Sequence, residues 1–242
     1  MEEKYFGLNR GIFCGKVVTE PSFDHEVTNE NGEVIKTYYL FEMEVEFENK
    51  NKTVHDVSVL PFLVDQTKLE EFGQIEEGEL LFIKGKWRAF DRRDENGRKK
   101  TLTLATVSKL ERVEELTRTQ NKIEFHGYLK SKLFKVEFDE DGKIKLDENG
   151  RLIPVLDEDG NRIPWTRKNH EGKRVNDYTL QVVKEKINED GEVERLYQDF
   201  IPSISYGAVA WQIANEIDVH SKVKARGYIR RRPKNGYENE YV

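Results

Sequence analysis

Cysteine is nearly absent: Cys14 stands alone in 242 residues, which excludes an intramolecular disulfide framework and any zinc site built from several thiolates. It lies in an apolar run, where a thiol packs as a small, inert hydrophobe. No apolar stretch approaches the roughly 18 residues of a membrane helix, and no leader peptide opens the chain. A soluble, cytoplasmic protein without membrane attachment is therefore expected. Histidine is sparse too. The five (His25, His55, His126, His170 and His220) are scattered, and none has an acid or cysteine at a useful spacing. There is no Walker-type glycine loop and no Gly-x-Ser-x-Gly elbow. These absences point away from catalysis and leave no metal or cofactor to assign.

An excess of positive charge is also missing, since the formal net charge is −6. The distribution matters more than the sum. Residues 138–160 carry eight acids against three bases, whereas 161–176 carry five bases against one acid and 217–242 carry seven against three. What is plentiful is aromatic: 13 Phe, 10 Tyr and 3 Trp, enough to fill small cores in a chain long enough for two domains of about 110–120 residues.

The chain repeats itself. Asn9-Arg10-Gly11-Ile12-Phe13-Cys14-Gly15 matches Asn121-Lys122-Ile123-Glu124-Phe125-His126-Gly127. Asp56 to Phe62 matches Phe200 to Tyr206, and Leu81 to Arg88 matches Val223 to Arg230, in the same order. The repeat boundary falls near 113–120, giving domains over 1–115 and 116–242. Period-two alternation predicts strands near 10–18, 37–48, 52–60, 79–90 and 99–111, with a short helix near 65–73. In the second half it predicts strands near 122–130, 177–187, 195–204 and 221–232, a helix near 206–216, and a last strand starting at Glu240. Five strands with one helix between the third and fourth is the OB layout. The expected fold class is all-β: two tandem five-stranded OB-fold barrels, the second with a β-hairpin insertion.

That insertion spans about 138–176 and repeats one phrase: Asp139-Glu140-Asp141-Gly142, Asp147-Glu148-Asn149-Gly150, Asp157-Glu158-Asp159-Gly160. Asn-Gly and Asp-Gly between short apolar strands predict tight type I′ hairpin turns. A calcium loop of the EF-hand kind is not matched, because no Glu falls at the twelfth position.

Asn121-Lys122 with Gly127, then Tyr206, then Ile213-Ala214-Asn215-Glu216-Ile217, then Val223 to Arg232, resembles bacterial and phage single-stranded DNA-binding proteins. The first half resembles them more weakly, through Asn9-Arg10, Gly15, Phe62 and Gly85. The resemblance implies OB barrels, sequence-tolerant binding of single-stranded DNA in replication, recombination or repair, and no catalysis. It also implies a homodimer presenting four OB folds. The family's acidic C-terminal tail, which recruits replication proteins, is absent here, and the insertion has no family counterpart. The short last strand is either truncated or completed by another chain.

Gripping an unpaired strand without reading it takes cations along a groove and flat rings for the bases. Lys222, Lys224, Arg226, Tyr228 and Arg230 share one strand face by the period-two rule, followed by Arg231, Arg232 and Lys234. The first half offers Lys84, Lys86, Trp87, Arg88, Phe90, Arg92 and Arg93, with Trp87 placed as readily in the core. Phe62 and Tyr206 match the family's base-stacking position, with capping of a barrel end as the alternative. Trp165, flanked by Arg162, Arg167 and Lys168, is read as a clamp on DNA or a subunit contact. Trp211, beside Ala208, Ala210 and Ala214, is read as core or interface. The competing functions are an OB-fold interaction module, such as a primosome adaptor or a structural phage component, and RNA binding.

Overall fold

Alternating apolar and polar side chains carry most of the chain into strands. In a computed structural model the described residues are 5–47, 56–93, 97, 99–116, 120–169, 172–187, 191–234 and 237–241. The elements are β1 (Tyr5–Phe6), β2 (Leu8–Thr28), β3 (Val34–Phe47), β4 (Asp56–Asp65), α1 (Gln66–Phe72), β5 (Leu80–Arg93), β6 (Lys99–Arg112) and β7 (Gln120–Leu129). There follow β8 (Arg167–Lys168), β9 (Arg174–Ile187), β10 (Val193–Tyr206), α2 (Gly207–Glu216), β11 (Lys222–Gly227), β12 (Arg230–Lys234) and β13 (Tyr237–Tyr241). No helix among the described residues is long and apolar enough to cross a membrane.

The first half closes into a barrel. β2 pairs antiparallel with β3 and β3 with β4. β4 meets β6 in parallel, β6 pairs with β5, and β5 returns to β2. This is the OB order, with the helix α1 between the third and fourth barrel strands. Its core is aromatic: Phe13, Phe41, Phe62 and Trp87 are almost fully buried. Phe62 sits edge-on to Phe13 at 5.3 Å between centroids and stacks on Phe41 at 5.6 Å. Such pairs are favoured by ring quadrupoles as well as by burial. Gly15 is required where β2 presses on β3, because a Cβ there would lie 2.2 Å from the Glu44 carbonyl oxygen. Cys14 is buried, and desolvation pushes its thiol pKa up, so it is held as the neutral thiol.

The second half repeats part of the pairing scheme. β7 pairs with β9, β9 with β10, and β7 with β11, while α2 follows β10. β13 turns back on β12, with Arg230 opposite Tyr241 and Lys234 opposite Tyr237. Among the described residues no pairing joins β13 to β10, the contact that would close a barrel as β4 and β6 close the first.

Two buried asparagines explain the repeated Asn. Asn9 donates to the Trp87 carbonyl at 2.6 Å and accepts from the Trp87 amide at 2.9 Å. Asn121 does the same with Ile229, at 2.7 and 2.8 Å. Each side chain thus completes the backbone bonding of the residue two after a repeated glycine, Gly85 or Gly227. Strands β2 and β7 then pair antiparallel with Gly11 opposite Ile123, its own counterpart in the repeat. Asn9 lies opposite Phe125 and Phe13 opposite Asn121. The pairing is therefore isologous, like a two-fold interface carried within one chain.

The chain forms two compact units: residues 1–126 with 182–201 and 224–242, and residues 127–181 with 202–223. Strands β7, β9, β10 and β11 run from one unit into the other, so the units do not follow the repeat boundary. Within the second unit, α2 buries Ala210 and Ala214, and Asn176 donates to the Ala210 carbonyl at 2.6 Å. Trp211 points outward and is 41 % exposed, which removes a core role for it in this chain.

The insertion in the second unit holds three hairpins, bridged at Phe138–Ile144, Leu146–Leu152 and Leu156–Arg162. Their turns are not type I′. That type needs positive φ at both central residues, whereas only the glycines Gly142, Gly150 and Gly160 adopt it there. Instead Gly142 N–H donates to the Asp139 carbonyl, and Asp139 N–H donates to the Lys143 carbonyl at 2.8 Å. The Asp139 carboxylate accepts from the amides of Asp141 and Lys143. Asp147 and Asp157 repeat the device. These are three-residue loops, a type I turn ending in a left-handed glycine. The leading Asp is a turn-forming group, which accounts for the repeated phrase.

Candidate nucleic-acid interface

Strand β5 separates two rows of side chains. Leu81, Ile83 and Trp87 point into the barrel and are buried. Phe82, Lys84, Lys86, Arg88 and Phe90 alternate with them and reach the surface. The row combines cations and rings directly. Lys84 Nζ lies 5.6 Å from the Phe82 centroid, and the Arg88 guanidinium 5.3 Å from that of Phe90. Tyr197 of β10 adds a third ring, 5.5 Å from Lys86 Nζ and 5.1 Å from the Arg88 guanidinium. Cation–π geometry of this kind holds flat groups and charges side by side.

One carboxylate anchors the row. Asp199 is buried and lies 2.6 Å from Arg88 Nε. Burial raises its pKa, while the Arg88 charge and the Ala89 amide pull the other way. Lys86 is shifted below the usual lysine range, first by partial desolvation and then by the charges of Lys184 and Arg88, with Asp199 opposing. Tyr197 is pushed up, chiefly by burial.

Strand β11 carries the second row. Lys222, Lys224 and Arg226 are exposed and Tyr228 is exposed just after the strand, while Ile229 is buried in the Asn121 clasp. A carboxylate from β7 meets this row: Glu124 lies 2.8 Å from Lys224 Nζ and accepts from Arg226 Nε at 3.0 Å. His126 Nε2 stands 3.2 Å from the same group. Hydrogen bonds from Lys224 and then Arg226 pull the Glu124 pKa down to about 2. Arg230 is half-buried. The side chains of Arg92, Arg93, Arg231, Arg232 and Lys234 lie outside the described residues.

The expected rings fare unequally. Phe62 and Trp87 are core residues with no face left for a base, so neither serves as a stacking platform. For Phe62 the reason is register. The matched repeat put Phe62 level with Tyr206, but Tyr206 ends β10 and caps α2, the place that Asp65 holds before α1. A shift of three residues is odd, and an odd shift exchanges the inner and outer faces of a strand. Tyr206 itself is half-buried. In the second unit Trp165 is 64 % exposed. Its basic neighbours are paired, Arg162 with Asp218 at 2.7 Å and Arg167 with Asp177 at 2.7 Å. Phe90, expected in this patch, lies in the row, whereas Phe82 and Tyr197 were missed. Phe82 shares the parity of Lys84 and was legible by counting in twos. Tyr197 reaches the row only through the fold. Among the described residues no cluster of His, Cys, Asp or Glu is arranged to hold a metal ion.

No protein-family model and no curated protein matches the chain. Solved structures do. A deletion variant of the single-stranded DNA binding protein from Thermus aquaticus aligns with a TM-score of 0.61 at 14 % identity, over 94 % of this chain and 88 % of that one. The wild-type Thermus aquaticus protein aligns at 0.58 and 15 %, over 93 % and 86 %. The chain shares the OB fold of these two structures. Within that OB fold, β5 and β11 are the equivalent fourth strands of the two repeats, and each turns a cationic row outward.

Proposed function

We propose that the chain binds single-stranded DNA, largely without regard to sequence, along the outer rows of β5 and β11, and performs no chemical step. The observation that carries this reading is the β5 row, where Lys84, Lys86 and Arg88 alternate with core residues and touch Phe82, Phe90 and Tyr197. Cations for phosphates and rings for bases are what sequence-tolerant binding needs. Tyr206, Tyr228 and Trp165 are further surfaces for bases, and Arg92, Arg230 and Arg232 further cations. The second repeat completes a second OB barrel, over 116–242, with its closing strand supplied at the C-terminal edge or by another chain. A homodimer then presents four barrels. The setting is the cytoplasm and the role is strand protection in replication, recombination or repair.

The insertion supports a different partner. Its hairpin part, residues 138–160, is acidic, and Phe138, Leu146 and Leu156 are each more than half exposed at equivalent places before the turn Asp. Such a surface repels phosphates and suits protein, as the interaction-module reading requires.

Fluorescence anisotropy with labelled oligo-dT tests the main reading. Binding at about micromolar or tighter is expected at low salt, falling linearly on a log–log plot with a slope of about −0.7 per phosphate neutralised. Lys84→Glu with Lys86→Glu weakens binding to dT, dC and mixed strands alike, because phosphate contacts carry no sequence information. Absence of binding at low salt overturns the reading.

A further inference from the structure

Glu124 distinguishes the two halves. In the repeat its counterpart is Ile12, and the counterpart of Arg226 is Lys84. Ile12 lies opposite Lys84 across the β2–β5 pairing. The place that holds an apolar side chain beside the first row thus holds a carboxylate beside the second. That carboxylate takes both cations at once, with one oxygen 2.8 Å from Lys224 Nζ and the other 3.0 Å from Arg226 Nε. Both cations are otherwise open to solvent, Arg226 being 70 % exposed and Lys224 51 %. An incoming phosphate must therefore displace Glu124 or share its cations with it.

We infer that Glu124 is a built-in counterion that occupies the β11 cations until a polyanionic strand displaces it, so that the two rows bind with unequal strength and single small anions are refused. The inference rests on the reading of β11 as a strand-binding face. A lone phosphate exchanges one anion for another and gains little. A strand brings many phosphates held in line, so the loss at one place is offset by its neighbours. The β5 row has no such gate at Ile12 and engages first.

A binding cycle in the full-length chain tests this, with oligo-dT as probe at low salt and thermal unfolding as a check on folding. Glu124→Gln tightens binding about three- to tenfold, the scale of two exposed ion pairs, and the gain shrinks as salt rises. Arg226→Gln weakens binding more in the Glu124→Gln background than in the wild type, because an already neutralised cation has less to lose. Inorganic phosphate competes with oligo-dT more effectively against Glu124→Gln than against the wild type. Should Arg226→Gln weaken binding equally in both backgrounds, the counterion inference fails and the interface stands. Should Arg226→Gln have no effect in either, the β11 face is not an interface and both fail. If Glu124→Gln unfolds at markedly lower temperature, Ile12→Glu gives the reciprocal test: a carboxylate installed beside Lys84 weakens binding, and unchanged binding overturns the inference.

Discussion

Asp199 and Glu124 are carboxylates that each face an arginine, yet their environments drive them in opposite directions. Asp199 is buried, and desolvation raises its pKa despite Arg88. Glu124 is held by Lys224 and Arg226 at the surface, and its pKa falls from 4.5 to about 2. The linkage signs follow. Glu124 binds its proton less readily in the folded chain, so its contribution to stability is complete above pH 4.5 and is lost as pH falls toward about 2. Asp199 binds its proton more readily when folded, so its contribution is present below the ordinary value of 3.8 and is lost as pH rises through its elevated midpoint. Carboxyl NMR titration checks this pair: Glu124 moves with a midpoint near 2, and Asp199 titrates above 3.8. A Glu124 midpoint at the ordinary glutamate value would show that its cations do not hold it.

At the scale of elements, the two asparagine clasps tie the first strand of each repeat to the fourth. Each satisfies a buried backbone N–H and C=O that would otherwise lack partners. Asn9→Ala and Asn121→Ala each leave both groups stranded, and each loses about 2–4 kcal/mol at roughly 1–3 kcal/mol per unsatisfied group with partial relaxation. Urea denaturation measures the loss, and the geometry predicts similar values at the two sites. A large loss at Asn9 with none at Asn121 would mean that Ile229 finds other partners. The insertion turns obey a different local logic. Asp at the start and glycine at the left-handed position define the loop; between them the first residue is Glu in all three copies and the second is Asp, Asn and Asp.

At the scale of the molecule, the pairing of β2 with β7 covers a strand edge that would otherwise be open. Because Gly11 faces its own repeat counterpart, the edge is complementary to itself. A fragment of residues 1–115, which keeps the whole first barrel and lacks β7, is therefore expected to dimerise through β2. Sedimentation equilibrium measures this. A monomer at micromolar concentration would show that the edge is protected in some other way.

Much of this protein is legible in its sequence. Strand alternation, the helix after the third strand and the threefold Asp-x-x-Gly phrase are local or periodic features. Backbone stereochemistry and face-by-face burial therefore express them directly in residue order. The cations of β5 and β11 belong to that class, since parity alone turns them outward. The tertiary structure decided what parity leaves open. It took Phe62 into the core, because the register of β4 depends on its partner strands, whereas Trp87, opposite in parity to Lys86 and Arg88, already follows from alternation. It set Tyr197 and Asp199 against Arg88, more than 100 residues earlier, and it closed Glu124 onto Lys224 and Arg226. Those contacts arise from strand pairing at long sequence separation, and residue order does not show which distant side chains pairing brings within reach of a charge.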